Sequence, residues 1–311
     1  MGEVARALAV PAVAVVADLL WGEPPAPVHP VVWMGKAIAA LERLAPEGGH
    51  EARLVYGAGM VGVAVALFGL PAWALERALW GAGWPGAVAL GLLLKPTFAV
   101  RALLQATSAV GDALCRDDLP GAREALRSLV SRDTATLPAP LLAAAAVESV
   151  AENSSDSVVA PLFWYGVLGL PGAVAYRVVN TLDAMVGYRT PRHEHLGKAA
   201  ARLDDLANLL PARLTGLLFV LAAPIGGESG GLLQAMSVMG RDHRVTASPN
   251  AGWPMSAAAG GLGVQLEKVG HYRLNSEGRL PVAADVRRAL SLTRAALALA
   301  LPLLAGAVWL K

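Results

Sequence analysis

Along this chain, apolar runs of membrane-crossing length alternate with shorter, more polar stretches. A spanning helix needs about 20 apolar residues to cross a hydrocarbon core of roughly 30 Å. Val4–Leu20 and Leu54–Leu75 meet that length or nearly so. Trp84–Leu104 follows, interrupted at Lys95-Pro96, where a missing N–H and a ring clash predict a kink. Leu209–Ile225 and Ala289–Leu310 complete a set of five. Trp21, Trp73, Trp80, Trp84 and Trp309 lie near the ends of these runs, where indoles anchor a helix at the interface. The first run has no basic leader and no convincing cleavage site, so it reads as a retained helix rather than a signal peptide.

The polar stretches, about 21–53, 105–137, 180–208 and 227–288, are rich in helix formers. Asp118–Val130 places Leu119, Ala122, Leu126 and Val130 on one face, which suits an interfacial helix or an ordinary surface helix equally. Leu137–Ala160 and Val158–Val179 are apolar but studded with polar groups, and fit buried helices, re-entrant elements or tilted crossings. Basic residues gather at Arg189–Arg202 and Arg273–Arg294, and both would lie on the cytoplasmic side. One clear crossing separates them, so a second crossing or a re-entrant piece is expected within about 231–266, with Ala257–Val264 the candidate. No polar linker divides the chain, and no internal repeat is visible. The expected fold is all-α: one polytopic membrane-embedded catalytic domain over 1–311, with about five transmembrane helices plus re-entrant or interfacial ones.

Composition agrees. Of 311 residues, 55% are hydrophobic and 16% charged, against roughly 45–50% and about 25% in soluble chains, and mean hydropathy is +0.49. A formal charge of +2 gives no reason to expect a nucleic-acid partner. The single cysteine, Cys115, excludes an internal disulfide or a cysteine-based metal site and reads as a packing residue.

Chemistry concentrates in a few places. In ESVAENSSD, Glu148, Glu152, Ser155 and Asp156 share an arc of roughly 100° on a helix, with Asn153 close by. Each carboxylate costs about 2.5–3.5 kcal/mol at a helix centre facing lipid, so the three must face water, a metal ion or a cation. Their hard oxygens suit Mg²⁺ carrying a nucleotide's phosphates, and an arginine-paired cluster that only holds helices together is the bland alternative. A second group runs from Asn180, Asp183, Tyr188 and Arg189 to Lys198, Arg202, Asp204, Asp205, Asn208 and Arg213. Asp204 and Asn208 stack one turn apart with Asp205 beside them, a set for a second Mg²⁺, while Arg189, Lys198 and Arg213 suit phosphate. A salt-bridged cytoplasmic loop is the equal alternative. Arg241-Asp242-His243-Arg244 precedes Ser248-Pro249-Asn250-Ala251-Gly252, a strong turn sequence. His29, among the prolines after the first helix, and Arg132-Asp133, before the Pro138 helix start, complete the candidates. His193-Glu194-His195 lacks zinc-site spacing, and no G-x-S-x-G elbow is present.

These pieces, in this order, resemble the adenosylcobinamide-phosphate synthase family, membrane enzymes of cobalamin assembly. The resemblance is carried by DLLWGEPP from Asp18, His29-Pro-Val, SRDT from Ser131, VESVAENSSDSVVAPLFW from Val147, YRVVNTLDAMVGYR from Tyr176, AARLDDLANLLPARLT from Ala200, ASPNAGWPMSAAAGGLGVQLE from Ala247 and ADVRRAL from Ala284. It departs at Glu23, where the family usually carries Asp, and over Thr190–His195.

The resemblance implies a multi-pass protein of the cell membrane. It would join (R)-1-amino-2-propanol or its O-phosphate to a propionate of adenosylcobyric acid with ATP. An acyl phosphate is the natural activated form. Catalytic candidates are Glu148, Glu152, Asp156, Asp205 and His243. Metal candidates are Glu148, Glu152, Asp156, Asp204, Asp205 and Asn208. Substrate or phosphate candidates are His29, Arg132, Asp133, Asn153, Ser155, Asn180, Asp183, Tyr188, Arg189, Lys198, Arg202, Arg213, Arg241, Ser248, Asn250 and Gly252. The active site is expected to face the cytoplasm, with other cobalamin-assembly membrane proteins or further copies of the chain as partners. A transporter of a corrin or small anion also suits intramembrane acids and broken helices. The lack of repeats and the polar loops weigh against it.

Overall fold

The structure, a computed structural model, describes residues 2–188, 190–225 and 231–307. In chain order the helices are α1 (Gly2–Trp21), α2 (Pro30–Arg43), α3 (His50–Trp80), α4 (Gly83–Leu94), α5 (Val100–Cys115), α6 (Leu119–Leu126) and α7 (Ala139–Ser154). After α7 come α8 (Ala160–Leu168), α9 (Leu170–Val186), α10 (Lys198–Ala207), α11 (Leu209–Ala222), α12 (Leu232–Asp242) and α13 (Gly252–Leu262). A hairpin of β1 (Leu266–Lys268) and β2 (Tyr272–Leu274) precedes α14 (Ala283–Ala307). Helix makes up 76% of the described residues. The stretches expected as polar loops hold α2, α6, α10, α12 and α13, and α13 is buried along almost its whole length.

Among the described residues, three helical segments are long and apolar enough to cross a membrane: Gly2–Trp21, His50–Trp80 and Gly83–Cys115. The last includes the 3₁₀ turn Lys95–Thr97, where the proline kink was expected. α10 and α11 reach the standard only when taken as one broken span. α14 does not reach it over its described part, which opens with Asp285, Arg287 and Arg288 and carries Arg294. The expected span Ala289–Leu310 and the anchor Trp309 run beyond the described residues.

The chain folds as two compact units interleaved in sequence. The first takes Met1–Ala99, Ala160–Asn208 and Leu303–Lys311, and the second Val100–Val159 and Leu209–Pro302. In the first, α4 packs along α1, and α3 packs against α9. Met34, Ile38, Met60, Ala64, Val178 and Leu182 fill the core between α2, α3 and α9. Lys95, buried at the α4 break, lies 3.4 Å from buried Asp18 and 2.9 Å from Glu23, so α1, its following loop and α4 are joined by charge.

α9 begins beside Gly169, whose φ is +76°. The backbone N–H of Leu170 donates to Glu76 Oε1 at 3.1 Å, and a Cβ on residue 169 would collide with that carboxylate. Gly169→Ala is therefore expected to cost about 1–3 kcal/mol through the left-handed backbone alone, with more from the collision. Thermal unfolding in detergent would show it; an unchanged midpoint would mean that α9 does not depend on this start.

In the second unit, Val110, Leu114, Leu126, Leu142, Ala146 and Val286 form one core. α6 lays one face on this core and leaves the other toward the surface. Asp118 caps it by accepting from Gly121 N at 2.9 Å, and Ala122 and Leu126 are buried. α12 and α13 pack on each other where a crossing or re-entrant loop was expected. Each has 11 residues, about 16 Å at 1.5 Å per residue, too short to cross alone. Cys115 is free and exposed at the end of α5, contrary to its reading as a packing residue.

Candidate functional site

Each unit holds its own acidic cluster. In the second unit α7 carries Glu148 and Glu152 one turn apart. The helix is buried on most sides, so both acids lie among neighbours rather than in bulk water. Arg132, from the loop before α7, donates from Nη2 to Glu148 Oε2 at 2.8 Å. Glu148 is 5% exposed. Its Oε1 and Arg132 Nε are both buried without a hydrogen-bond partner. α7 lies outside the three candidate spans. Burial pushes the Glu148 carboxyl up to about 7, helped by Glu152 and opposed by Arg132 and Lys268. Lys268 and Tyr272 belong to the β-hairpin, which packs on α7. The Tyr272 phenol is raised by burial and then by Glu148 and Glu152.

The regular helix ends at Ser154, and a π-helical turn runs from Ser155 to Val159. Such a turn inserts a residue, so the 100° spacing that set Asp156 on the Glu148–Glu152 face does not carry past Ser154. Ser155 Oγ is buried with no hydrogen-bond partner. Asn153 donates from Nδ2 to Ser149 O at 2.9 Å and accepts from Ser157 Oγ at 3.3 Å. Exposed Asp133 accepts from Ala135 N at 2.9 Å, a turn contact.

Elsewhere in this unit the guanidinium of Arg213 covers the ring of Trp253 at 4.7 Å, and His243 stacks on the same indole at 4.0 Å. His243 donates from Nδ1 to Met239 O at 2.9 Å, and its Nε2 accepts from Arg244 Nε at 3.2 Å. Arg244 thus covers Nε2, and a substrate proton could reach that nitrogen only if Arg244 moved. Arg241 is bidentate to Asp242, at 2.7 and 3.1 Å. Ser248 Oγ accepts from Asn250 N and Ala251 N, Asn250 is buried, and Gly252 sits where a side chain would strike His243 O.

In the first unit Asp183 on α9 faces Asp204 and Asp205 on α10. Burial, then those two charges, pushes the Asp183 carboxyl up to about 6. Asp204 accepts from Asn180 Nδ2 at 3.2 Å and from Asn208 Nδ2 at 3.3 Å. Asn208 Oδ1 in turn accepts from Tyr176 Oη at 3.1 Å, so Asn208 braces Asp204 rather than offering its own oxygen. Tyr188, Lys198 and Arg202 are exposed, and Arg189 lies outside the described residues. His29 accepts from Val31 N at Nδ1 and donates from Nε2 to Glu23 at 2.7 Å, so both ring nitrogens are engaged in capping α2 and bridging to Glu23.

Among the described residues, no three of His, Cys, Asp and Glu come together as a metal cage. Magnesium needs less, since it keeps several waters and takes one or two carboxylates beside substrate phosphates. Asp183 and Asp205 beside a braced Asp204, or Glu148 and Glu152, meet that requirement in donor chemistry.

The family model described as CobD/Cbib protein matches residues 11–301. This chain belongs to the CobD/Cbib family. The cobalamin biosynthesis protein CobD of Dehalococcoides mccartyi is 48% identical over 267 residues, 86% of this chain and 86% of the relative. The protein of that name from Rhodobacter capsulatus is 45% identical over 282 residues, 87% of this chain and 86% of the relative. The probable cobalamin biosynthesis protein CobD of Methanothermobacter thermautotrophicus is 41% identical over 261 residues, 84% of each chain. No solved structure matches.

In this CobD/Cbib chain the groups that sequence reasoning missed are Tyr272 and Lys268 on the hairpin, Trp253 under Arg213, and Tyr176 behind Asn208. Gly270, with φ +76°, marked the hairpin turn in the sequence. Trp253 and Tyr176 had no local signal.

Proposed function

We propose that the protein is an ATP-dependent amide ligase of cobalamin assembly. It joins (R)-1-amino-2-propanol, or its O-phosphate, to a propionate carboxylate of adenosylcobyric acid, and the product is adenosylcobinamide or its phosphate. The observation that carries this reading is the buried Glu148–Arg132 pair with Glu152 one turn on, in a member of a family whose relatives bear a cobalamin-biosynthesis name.

A carboxylate cannot lose hydroxide to an amine, so it must be activated. Its oxygen attacks the γ-phosphorus of ATP and ADP leaves; the amine nitrogen then attacks the acyl carbon and phosphate leaves. Magnesium, held at Glu148 and Glu152 or at Asp183 and Asp205, would neutralise charge on the phosphates. Arg132 aligns Glu148. Arg213, over the Trp253 ring at 4.7 Å, offers a preorganised cation for phosphate or carboxylate. A carboxylate near neutrality, such as Glu148, suits the proton of the attacking amine. The protein works as a multi-pass protein of the cell membrane with this chemistry on the cytoplasmic side.

The test uses detergent-purified protein given adenosylcobyric acid, either amine and Mg-ATP, with the corrinoid followed by mass spectrometry. Wild type is expected to form the amide only with ATP, and folded Glu152→Gln to lose about 10²–10⁴-fold. Product from both would move the chemistry away from Glu152. No product from folded wild type with either amine would leave the transporter as the better reading.

A further inference from the structure

The first unit also contains a cavity that the ligase reading does not use. Its volume is about 780 Å³, and its wall includes Glu3 of α1, Trp73, Glu76 and Arg77 of α3, and Tyr165 of α8. It lies at the start of α9, where Glu76 accepts from Leu170. Asp183 is thirteen residues further along the same helix, about 20 Å at 1.5 Å per residue. The cavity and the acidic cluster of this unit are therefore at opposite ends of α9.

We propose that this cavity binds the headgroup and glycerol region of an amine-bearing phospholipid. Glu3 and Glu76 take the ammonium and Arg77 takes the phosphate. The size falls within the roughly 300–1,000 Å³ of small-molecule sites, and at about 30 Å³ per water a free aminoalkyl phosphate would leave much of it wet. The wall carries both signs of charge, which selects a zwitterion over a simple anion or cation. Arg77 is poised over the Trp73 ring at 5.3 Å, and both side chains line the cavity.

The route for an acyl chain is also visible. Val63, Leu67, Leu70 and Trp73 are each at least half exposed and follow one another at helical spacing on α3, with Arg77 next in the series. Val63 to Trp73 rises about 15 Å, half of a hydrocarbon core of roughly 30 Å. One leaflet's depth of apolar surface thus leads to a cation at the cavity, and Trp73 stands where an indole belongs, at the boundary between tails and headgroups.

The test is lipid retention by the full chain. Protein in nanodiscs of mixed phosphatidylethanolamine, phosphatidylcholine and phosphatidylglycerol is extracted gently and the bound lipid read by native mass spectrometry. Wild type is expected to keep phosphatidylethanolamine about tenfold over its share. Arg77→Gln and Glu3→Gln should each reduce that enrichment severalfold with an unchanged unfolding midpoint. Glu3 is exposed near the start of α1, so its variant reads the site even if Arg77→Gln does not fold. Equal retention of phosphatidylglycerol would show that the carboxylates read no amine and would overturn the proposal. Retention of no lipid would overturn it too, as would displacement of the lipid by millimolar free phosphoethanolamine, which would make the ligand a soluble one.

Discussion

Arg132→Met is expected to destabilise the protein by about 1–2 kcal/mol at pH 8, because it strips the cation from a buried carboxylate that then escapes by taking up a proton. Glu148 is 5% exposed and Arg132 is its ion-pair partner at 2.8 Å. The loss should shrink as pH falls, since a Glu148 without Arg132 takes up a proton and the buried charge disappears. Wild type shows the same physics with a definite sign. The Glu148 carboxyl stands at about 7 against an ordinary 4.5. Between those values the folded protein binds more protons than the unfolded chain. The stability from this group is full below about 4.5 and is lost as pH rises through about 7, on the order of 3 kcal/mol in all. Denaturant unfolding in detergent at pH 6 and 8 reads both effects. Adding Glu148→Gln to Arg132→Met should recover most of the pH 8 loss. An Arg132→Met protein as stable as wild type at pH 8 would mean that the pair carries no buried charge.

The second large effect belongs to the other cluster. Asp204→Asn is expected to lower ligase activity by about 10²–10³-fold, the scale on which removal of one preorganised electrostatic group acts. It should also change the pH profile. Asp183 is raised to about 6 by burial first and then by Asp204 and Asp205. If its ionised form supports the reaction, wild-type activity climbs with pH through about 6. Removing the Asp204 charge lets Asp183 ionise more easily, so the residual activity should climb at lower pH. A purely structural role for Asp204 would lower the plateau and leave the midpoint in place. Rates between pH 5 and 8 for the two proteins, normalised to folded enzyme, separate the outcomes.

The sequence made the long apolar helices plain, because their signal is local. Val4–Leu20 and Leu54–Leu75 became α1 and α3, longer by a few residues at most ends, and Lys95-Pro96 marked the break after α4. The Glu148–Glu152 face was legible from 3.6-residue spacing. The π-helical turn after Ser154 leaves no mark in the hydrophobic period, so the regular spacing could not be carried on to Asp156. Asn180 and Asp204 are 24 residues apart in sequence, and Tyr176 and Asn208 are 32 apart. Only the packing of α9 against α10 and the following turn makes those meetings. The hairpin strands are three residues each, too short for alternation to reveal, yet they bring Lys268 and Tyr272 to Glu148. Capping explains other differences. His29 had the chemistry of a ligand, but one ring nitrogen holds the start of α2 and the other holds Glu23, so its chemistry is already engaged.

The most direct measurement supplies adenosylcobyric acid labelled with ¹⁸O in its reactive carboxylate, together with the amine and Mg-ATP, to purified wild-type protein. Product amide and the isotope content of released phosphate are read by mass spectrometry. The account predicts one amide formed per ATP consumed, with one ¹⁸O carried from the carboxylate into each phosphate. Folded protein that consumes no ATP and forms no amide with either the amine or its phosphate would contradict it.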